Sequence, residues 1–256
     1  MEFITVATDG PVTMITLNRP EVMNCINPAM HHELQAAFDA FAADTSQFVC
    51  VVTGAGERAF CAGSDLKARD LGAAYPASGY AGLIERFDLD KPVIAAVNGL
   101  ALGGGFEVAL ACDIIIASEA ASFGLPEPLV GAVALGGGMH RLARQIGLKQ
   151  AMGMILTSAR VSAAEGYRVG FVNEVVEPAE LSATVRRWCD AILKASPMSI
   201  RASKQTVMRG LDEPSLEAAI SNQTAYPAYV AWRTSEDARE GPRAFAEKRP
   251  PVWVGR

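Results

Sequence analysis

The stretch NGLALGGGFEVALACDIIIAS, residues 98–118, sets three consecutive glycines and a single carboxylate, Glu107, inside an otherwise apolar tract. A core strand gains nothing from Gly103, Gly104 and Gly105, and a core helix loses stability by burying Glu107. Both oddities make sense if the backbone must approach another group closely and a carboxylate must stand beside it. A second loop, VVTGAGERAFCAGSDLK (51–67), shares the design of VIAAVNGLALGGGFE (93–107). Each leaves an apolar strand, turns on glycine and reads as feeding a helix. Helix N-termini carry N–H groups without intrahelical partners. Two such ends that converge would place two N–H donors on one developing negative oxygen, an oxyanion hole. Taken singly, each loop is also explained by tight turning and close packing.

Outward from these loops the chain alternates strand and helix patterns. FITVAT and VTMITL, joined through DGP, read as a hairpin. NPAMHHELQAAFDAFAAD follows with apolar residues at helical spacing, with His31 and His32 expected on its exposed side. FVCVVTG, KPVIAAVNG and CDIIIAS are short apolar runs ending in turn signals, which predict parallel strands linked by helical crossovers. From about Leu148 the pattern is mainly helical, with FVNEVV as an interrupting strand. The expected class is α/β, with a body over residues 1–195 and a helical C-terminal region over 196–256.

Composition narrows the function. The 256 residues, half of them hydrophobic, suit one domain with a sizeable core. Lysine and arginine number 23 against 28 acidic residues, a net charge of −5, with no basic stripe for nucleic acid or an anionic membrane. Charged residues interrupt every candidate membrane span. The N-terminus MEFITVATDG lacks a basic leader and reads as a strand, and the five scattered cysteines form no CxxC pair. Reduced thiols in a cytoplasmic protein are the expectation.

Several chemistries are set aside. GAGERA (54–59) fits a dinucleotide fingerprint, but AFCAG brings another glycine where a continuous helix should run. No P-loop, HxxxH or HExxH pattern occurs among the three histidines (31, 32, 140), so no metal is expected. No G-x-S-x-G exists for a serine hydrolase.

IAAVNGLALGGGFEVALACDI (94–114) resembles the signature of the crotonase (enoyl-CoA hydratase/isomerase) family. LNRPEVMNCIN (17–27), GAGERAFCAGSDLK (54–67), ASFGLPEPLVG (121–131) and AFAEKR (244–249) add to the likeness in the family's order. The resemblance implies a spiral of repeated ββα units with a helical C-terminal trimerisation region, in a homotrimer or dimer of trimers. It implies an acyl-CoA thioester as substrate, no separate cofactor, and a thioester enolate held by the backbone N–H groups of Ser64 and Gly104. Glu107, about one helical turn past Gly104, would face the same pocket. Glu127 would be the second carboxylate of a hydratase pair, one group activating water and the other delivering a proton to Cα. Contacts to CoA and substrate are implied for Met23, Cys25, Ala62, Ser64, Asp65, Leu66, Lys67, Leu135 and Lys248, the last reaching the CoA phosphates.

One loop departs from the family pattern. GAVALGGGMHRL (131–142) has Ala134 and Leu135 where hydratases commonly have Pro-Gly, and Met139-His140 in place of Thr-Gln. A bulky Leu135 beside the reacting carbon would narrow or rebuild the acyl pocket. SEDAREGPRAFAEKRPPVW (235–253) also resembles carnitinyl-CoA dehydratases. An enoyl-CoA hydratase is therefore the expected function. A carnitinyl-CoA dehydratase, an isomerase of the same family and a catalytically impaired acyl-CoA binder are the alternatives.

Overall fold

In the computed structural model, which describes residues 1–68 and 74–256, the opening hairpin forms as expected. Strands β1 (Ile4–Asp9) and β2 (Val12–Leu17) pair antiparallel. Then α1 (Pro28–Ala43) starts behind an Asn27 cap, whose side chain accepts the Met30 N–H at 2.8 Å, with proline at its first position.

From there the chain repeats one unit. A strand enters a large sheet, the next short strand enters a smaller one, and a turn or helix leads on. The pairs are β3 (Val49–Gly54) with β4 (Ala59–Cys61), β5 (Val93–Val97) with β6 (Leu100–Leu102), and β7 (Ile114–Ser118) with β8 (Ser122–Gly124). Helix α2 (Gly104–Ala111) follows β6, and α3 (Gly138–Gln145) follows β8. Next come α4 (Leu148–Thr157), β9 (Val161–Ser162), α5 (Ala163–Val169) and β10 (Glu174–Val176). The large sheet runs β1-β2-β3-β5-β7-β10, parallel from β2 onward, and the small one β4-β6-β8-β9, with β9 antiparallel. This is the expected spiral of ββα units.

The period of two explains why the central strands are apolar throughout. Cys50, Val52, Val93, Ala95, Ile115 and Ala117 face one core, with α1, α2 and the small sheet. Val49, Val51, Ile94, Ala96 and Ile116 face another, closed by Leu181, Val185 and Cys189 of α6 (Leu181–Leu193). GAGERA is the turn from β3 into β4 and opens no helix. The loop after β4 passes through Ser64 into a turn; its continuation past Ala68 enters residues 69–73, outside the described residues.

Four helices end the chain: α7 (Pro197–Gly210), α8 (Leu216–Asn222), α9 (Pro227–Thr234) and α10 (Glu236–Ala246). The final residues fold back as a strap. Asp237, 2% exposed, accepts the Val254 and Gly255 N–H groups at 2.9 and 3.2 Å and the Ser196 hydroxyl at 2.9 Å. Glu240 accepts the Val252 N–H at 2.9 Å and pairs with Arg243 and Arg249. Trp253 donates to Lys194 O at 2.9 Å, so the tail also reaches the end of α6.

Candidate active site

The three glycines at the start of α2 answer to three separate contacts. Gly103 has φ +54°, and a Cβ there would stand 2.7 Å from Glu127 Oε1. A Cβ on Gly104 would overlap the Tyr80 hydroxyl, and one on Gly105 the Cys61 carbonyl. The helix is thus set directly against β4 and against a side chain, Tyr80, that the sequence reading passed over.

The second loop arrives at the same point. Ala62 N–H donates to Met23 O at 3.0 Å, Ile26 N–H to Gly63 O at 2.8 Å, and Asp65 N–H to Ile26 O at 2.9 Å. In this parallel bridge the neighbours of Ser64 make the bonds, so the Ser64 N–H points to the other side. A Cβ on Gly63, whose φ is +98°, would lie 3.0 Å from Leu102 O and 3.3 Å from Gly104 N. The Gly63–Ser64 segment therefore adjoins the N-terminus of α2, the arrangement that two converging donors require. Asp65 braces the ribbon by pairing with Arg19 at 2.9 Å, while Arg19 also donates to Cys25 O at 2.7 Å.

Glu107 lies in the first turn of α2 and is 3% exposed. Its Oε1 accepts the Gly138 N–H at 2.9 Å, and the nearby Gly136 backbone also favours the charged carboxylate. A Cβ on Gly136 would overlap Oε2, and one on Gly138 would lie 2.7 Å from Cγ. Gly136 and Gly138, in the loop whose Ala134-Leu135 and Met139-His140 depart from the family pattern, form a cradle for this carboxylate. Burial pushes the Glu107 carboxyl up to about 7; the nearby Glu127 charge adds to the rise, and the Gly138 and Gly136 N–H groups and Arg141 oppose it.

Glu127 opens a 3-10 turn (Glu127–Val130) between Pro126 and Pro128, which fix its backbone. Its Oε2 is buried and has no hydrogen-bond partner among the described residues. Burial raises this carboxyl as well. Both glutamates thus converge on the N-terminus of α2, one cradled and one with an oxygen that has no partner among the described residues.

A pH dependence of stability follows. At low pH the folded and unfolded chains both carry the Glu107 proton, and burial costs nothing in charge. Between about 4.5 and 7 the folded chain holds a proton that the unfolded chain releases, so rising pH favours unfolding. Above 7 the full penalty, on the order of 3 kcal/mol, is present. Thermal melts of wild type and Glu107→Gln should therefore diverge in the variant's favour from pH 5 to pH 8. A constant difference across that range would refute the shift.

The other expected site residues are spread more widely. Met23, Cys25, Ala62, Ser64 and Asp65 lie together on the ribbon, with Leu66 and Lys67 exposed at its edge. Leu135 is 80% exposed, so in the single chain it stands at the rim of the Glu107 cradle rather than filling the pocket. Lys248 is exposed just beyond α10 and makes no contact with the glutamates among the described residues. His31 corrects the expectation of exposure. It is 6% exposed, and its Nδ1 accepts the Ala81 N–H at 2.8 Å. Burial lowers its pKa to about 4, which keeps the ring neutral and able to accept.

A family model described as "Enoyl-CoA hydratase/isomerase" matches residues 7–256. The chain belongs to the enoyl-CoA hydratase/isomerase family. A carnitinyl-CoA dehydratase from Proteus mirabilis (strain HI4320) is 45% identical over 255 residues, 97% of each chain. A carnitinyl-CoA dehydratase from Salmonella typhi is 43% identical over 261 residues, 100% of this chain and 99% of that one. Among solved structures, an enoyl-CoA hydratase from Mycobacterium tuberculosis H37Rv superposes with a TM-score of 0.92 at 35% identity. It is covered in full, as is this chain. The names of these relatives denote hydro-lyases, and this member of the family is a lyase. No described helix is long and apolar enough to cross a membrane.

Proposed function

We propose that the protein adds water reversibly to the double bond of a 2-enoyl-CoA thioester, through an enolate held by the Ser64 and Gly104 N–H groups. The observation that carries this reading is a pair of carboxyls at the N-terminus of α2, Glu107 buried and Glu127 half-buried with its Oε2 enclosed, both raised. The Glu127 charge adds to the rise at Glu107, which favours one shared proton over two ionised carboxylates. Burial favours the proton on Glu107 in the free site. The reacting form of the pair is the one with that proton on Glu127, and in it Glu107 takes a proton from water as the oxygen bonds to Cβ. The protonated one, Glu127, gives its proton to Cα as the enolate collapses. One proton enters the pair and one leaves, so the reaction runs in either direction without a bound cofactor. The CoA contacts proposed are Met23, Cys25, Ala62, Asp65, Leu66 and Lys67 on the ribbon, Leu135 at the rim, and Lys248 reaching the phosphates.

A second acyl group is favoured by the dehydratase names among relatives 42–45% identical to this chain. Carnitinyl-CoA and its dehydration product therefore belong beside crotonyl-CoA in a substrate panel run in ¹⁸O-labelled water. Label appearing in a 3-hydroxyacyl product supports hydration; double-bond migration without label identifies an isomerase, and binding without turnover identifies a non-catalytic binder.

The proposed units are a core over 1–195 and a helical region over 196–256, with a homotrimer or dimer of trimers as the assembly in the cytoplasm. Val207, Met208, Leu211, Leu216 and Ile220 of α7, α8 and the turn between them are 52–76% exposed in the single chain, an apolar surface that needs cover. Light scattering at micromolar concentration should give three or six copies. A monomer would contradict the assembly and remove the case for Lys248 acting across a subunit boundary.

A further inference from the structure

Tyr80 is buried, 5% exposed, at the head of a 3-10 turn (Tyr80–Gly82) that is held in an uncommon shape. Ala81 has φ +56° and ψ +16°, a left-handed conformation that costs a non-glycine residue energy. Gly79 and Gly82 on either side also have positive φ. The turn is pinned to α1, because the Ala81 N–H donates to His31 Nδ1 and the Tyr80 ring meets the His31 ring edge-on at 4.5 Å. Strain of this kind persists where the surroundings fix it, and here they fix one thing: the position of the Tyr80 hydroxyl.

That hydroxyl lies against Gly104 and beside the Ser64 side chain, the two residues whose N–H groups are proposed to hold the oxyanion. It fills the space that a Cβ on Gly104 would take, and it accepts a hydrogen bond from Ser64 Oγ at 3.3 Å. With the Ser64 hydroxyl as the donor of this pair, the phenolic hydrogen is left for a different acceptor. A buried phenol normally finds one. The acceptor that the site calls for is an oxygen seated on the Ser64 and Gly104 N–H groups.

We propose that Tyr80 is a further catalytic residue, whose hydroxyl donates a third hydrogen bond to the thioester oxygen as it becomes an enolate, with Ser64 Oγ–H orienting it from behind. The proposal rests on the thioester reading above. No bond to Tyr80 forms or breaks; its proton stays on the phenol, which burial keeps in the neutral form. Charge grows on the oxygen only on the way to the enolate, so the bond strengthens there and acts on turnover more than on binding.

The test is Tyr80→Phe, which keeps the ring against Gly104 and His31 and removes only the hydroxyl. Two readouts are compared with wild type. The first is steady-state hydration of crotonyl-CoA or of the best substrate in the panel. The second is the red shift in absorbance when a chromophoric aryl-enoyl-CoA binds, which reports how strongly the carbonyl is polarised. The variant should lose about 10- to 100-fold in kcat, with KM within a few-fold, and show a smaller red shift. A purely structural role would leave the red shift at full size. Incorporating 3-fluorotyrosine at position 80 makes the phenol a stronger donor without changing the fold, and should enlarge the shift. Wild-type kcat and red shift in Tyr80→Phe, or a fluorotyrosine shift equal to that of tyrosine, would overturn the role of Tyr80 alone. A wild-type enzyme that neither hydrates nor polarises any thioester would overturn the hydratase reading and this inference with it.

Discussion

Glu107→Gln is expected to lower hydration by about 10²–10⁴ while the protein stays folded and still binds the thioester. Glutamine has the shape of glutamate, and its carbonyl can still accept the Gly138 N–H that Glu107 accepts at 2.9 Å. What it lacks is the ability to take a proton from water. Circular dichroism and acyl-CoA titration establish that fold and binding survive, and stopped-flow absorbance at the enoyl band gives the rate. Hydration within a few-fold of wild type would remove Glu107 from the water-activating role.

Glu127→Gln should cause a loss of the same size but with a different companion effect. Its Oε2 is buried without a partner among the described residues, which suits a group that meets substrate. If Glu127 handles the Cα proton, the variant also stops exchange of the α-hydrogens of a saturated acyl-CoA with deuterated water. Glu107→Gln should keep part of that exchange, because an enolate can form without water adding to Cβ. Proton NMR of the acyl group separates the two. Exchange at the wild-type rate in Glu127→Gln would reverse the assignment.

Much of the fold was legible because the large-sheet strands are long apolar runs. VCVVTG, VIAAV and IIIAS carry β-branched side chains to both faces of a covered sheet, and the hairpin and α1 show their periods plainly. The second sheet was not legible. Its strands AFC, LAL and SFG are three residues each, too short to display any period, and only their neighbours make them strands. In the site, Glu107 announced itself as a carboxylate in a greasy helix. The role of Gly136 and Gly138 did not, because a cradle for a side chain 29 or more positions away has no local mark. His31 and His32 were read as one exposed pair, yet neighbours on a helix point about 100° apart, and one turned inward. Tyr80 escaped for a similar reason: SGYAG reads as a loop, and its contact with Gly104 is made by the tertiary fold.

The strap at the end of the chain has a consequence in genetic terms. Asp237 and Glu240 are buried acids whose neighbours include the N–H groups of Val252, Val254 and Gly255, all within the last five residues. A stop codon or frameshift there would leave the codons of the proposed site residues intact and yet strip those two acids of part of their hydrogen bonding. Such an allele should score as a loss of protein abundance, not as an inactive enzyme at normal levels. It would map far downstream of the codons for the ribbon that includes Met23 and Cys25.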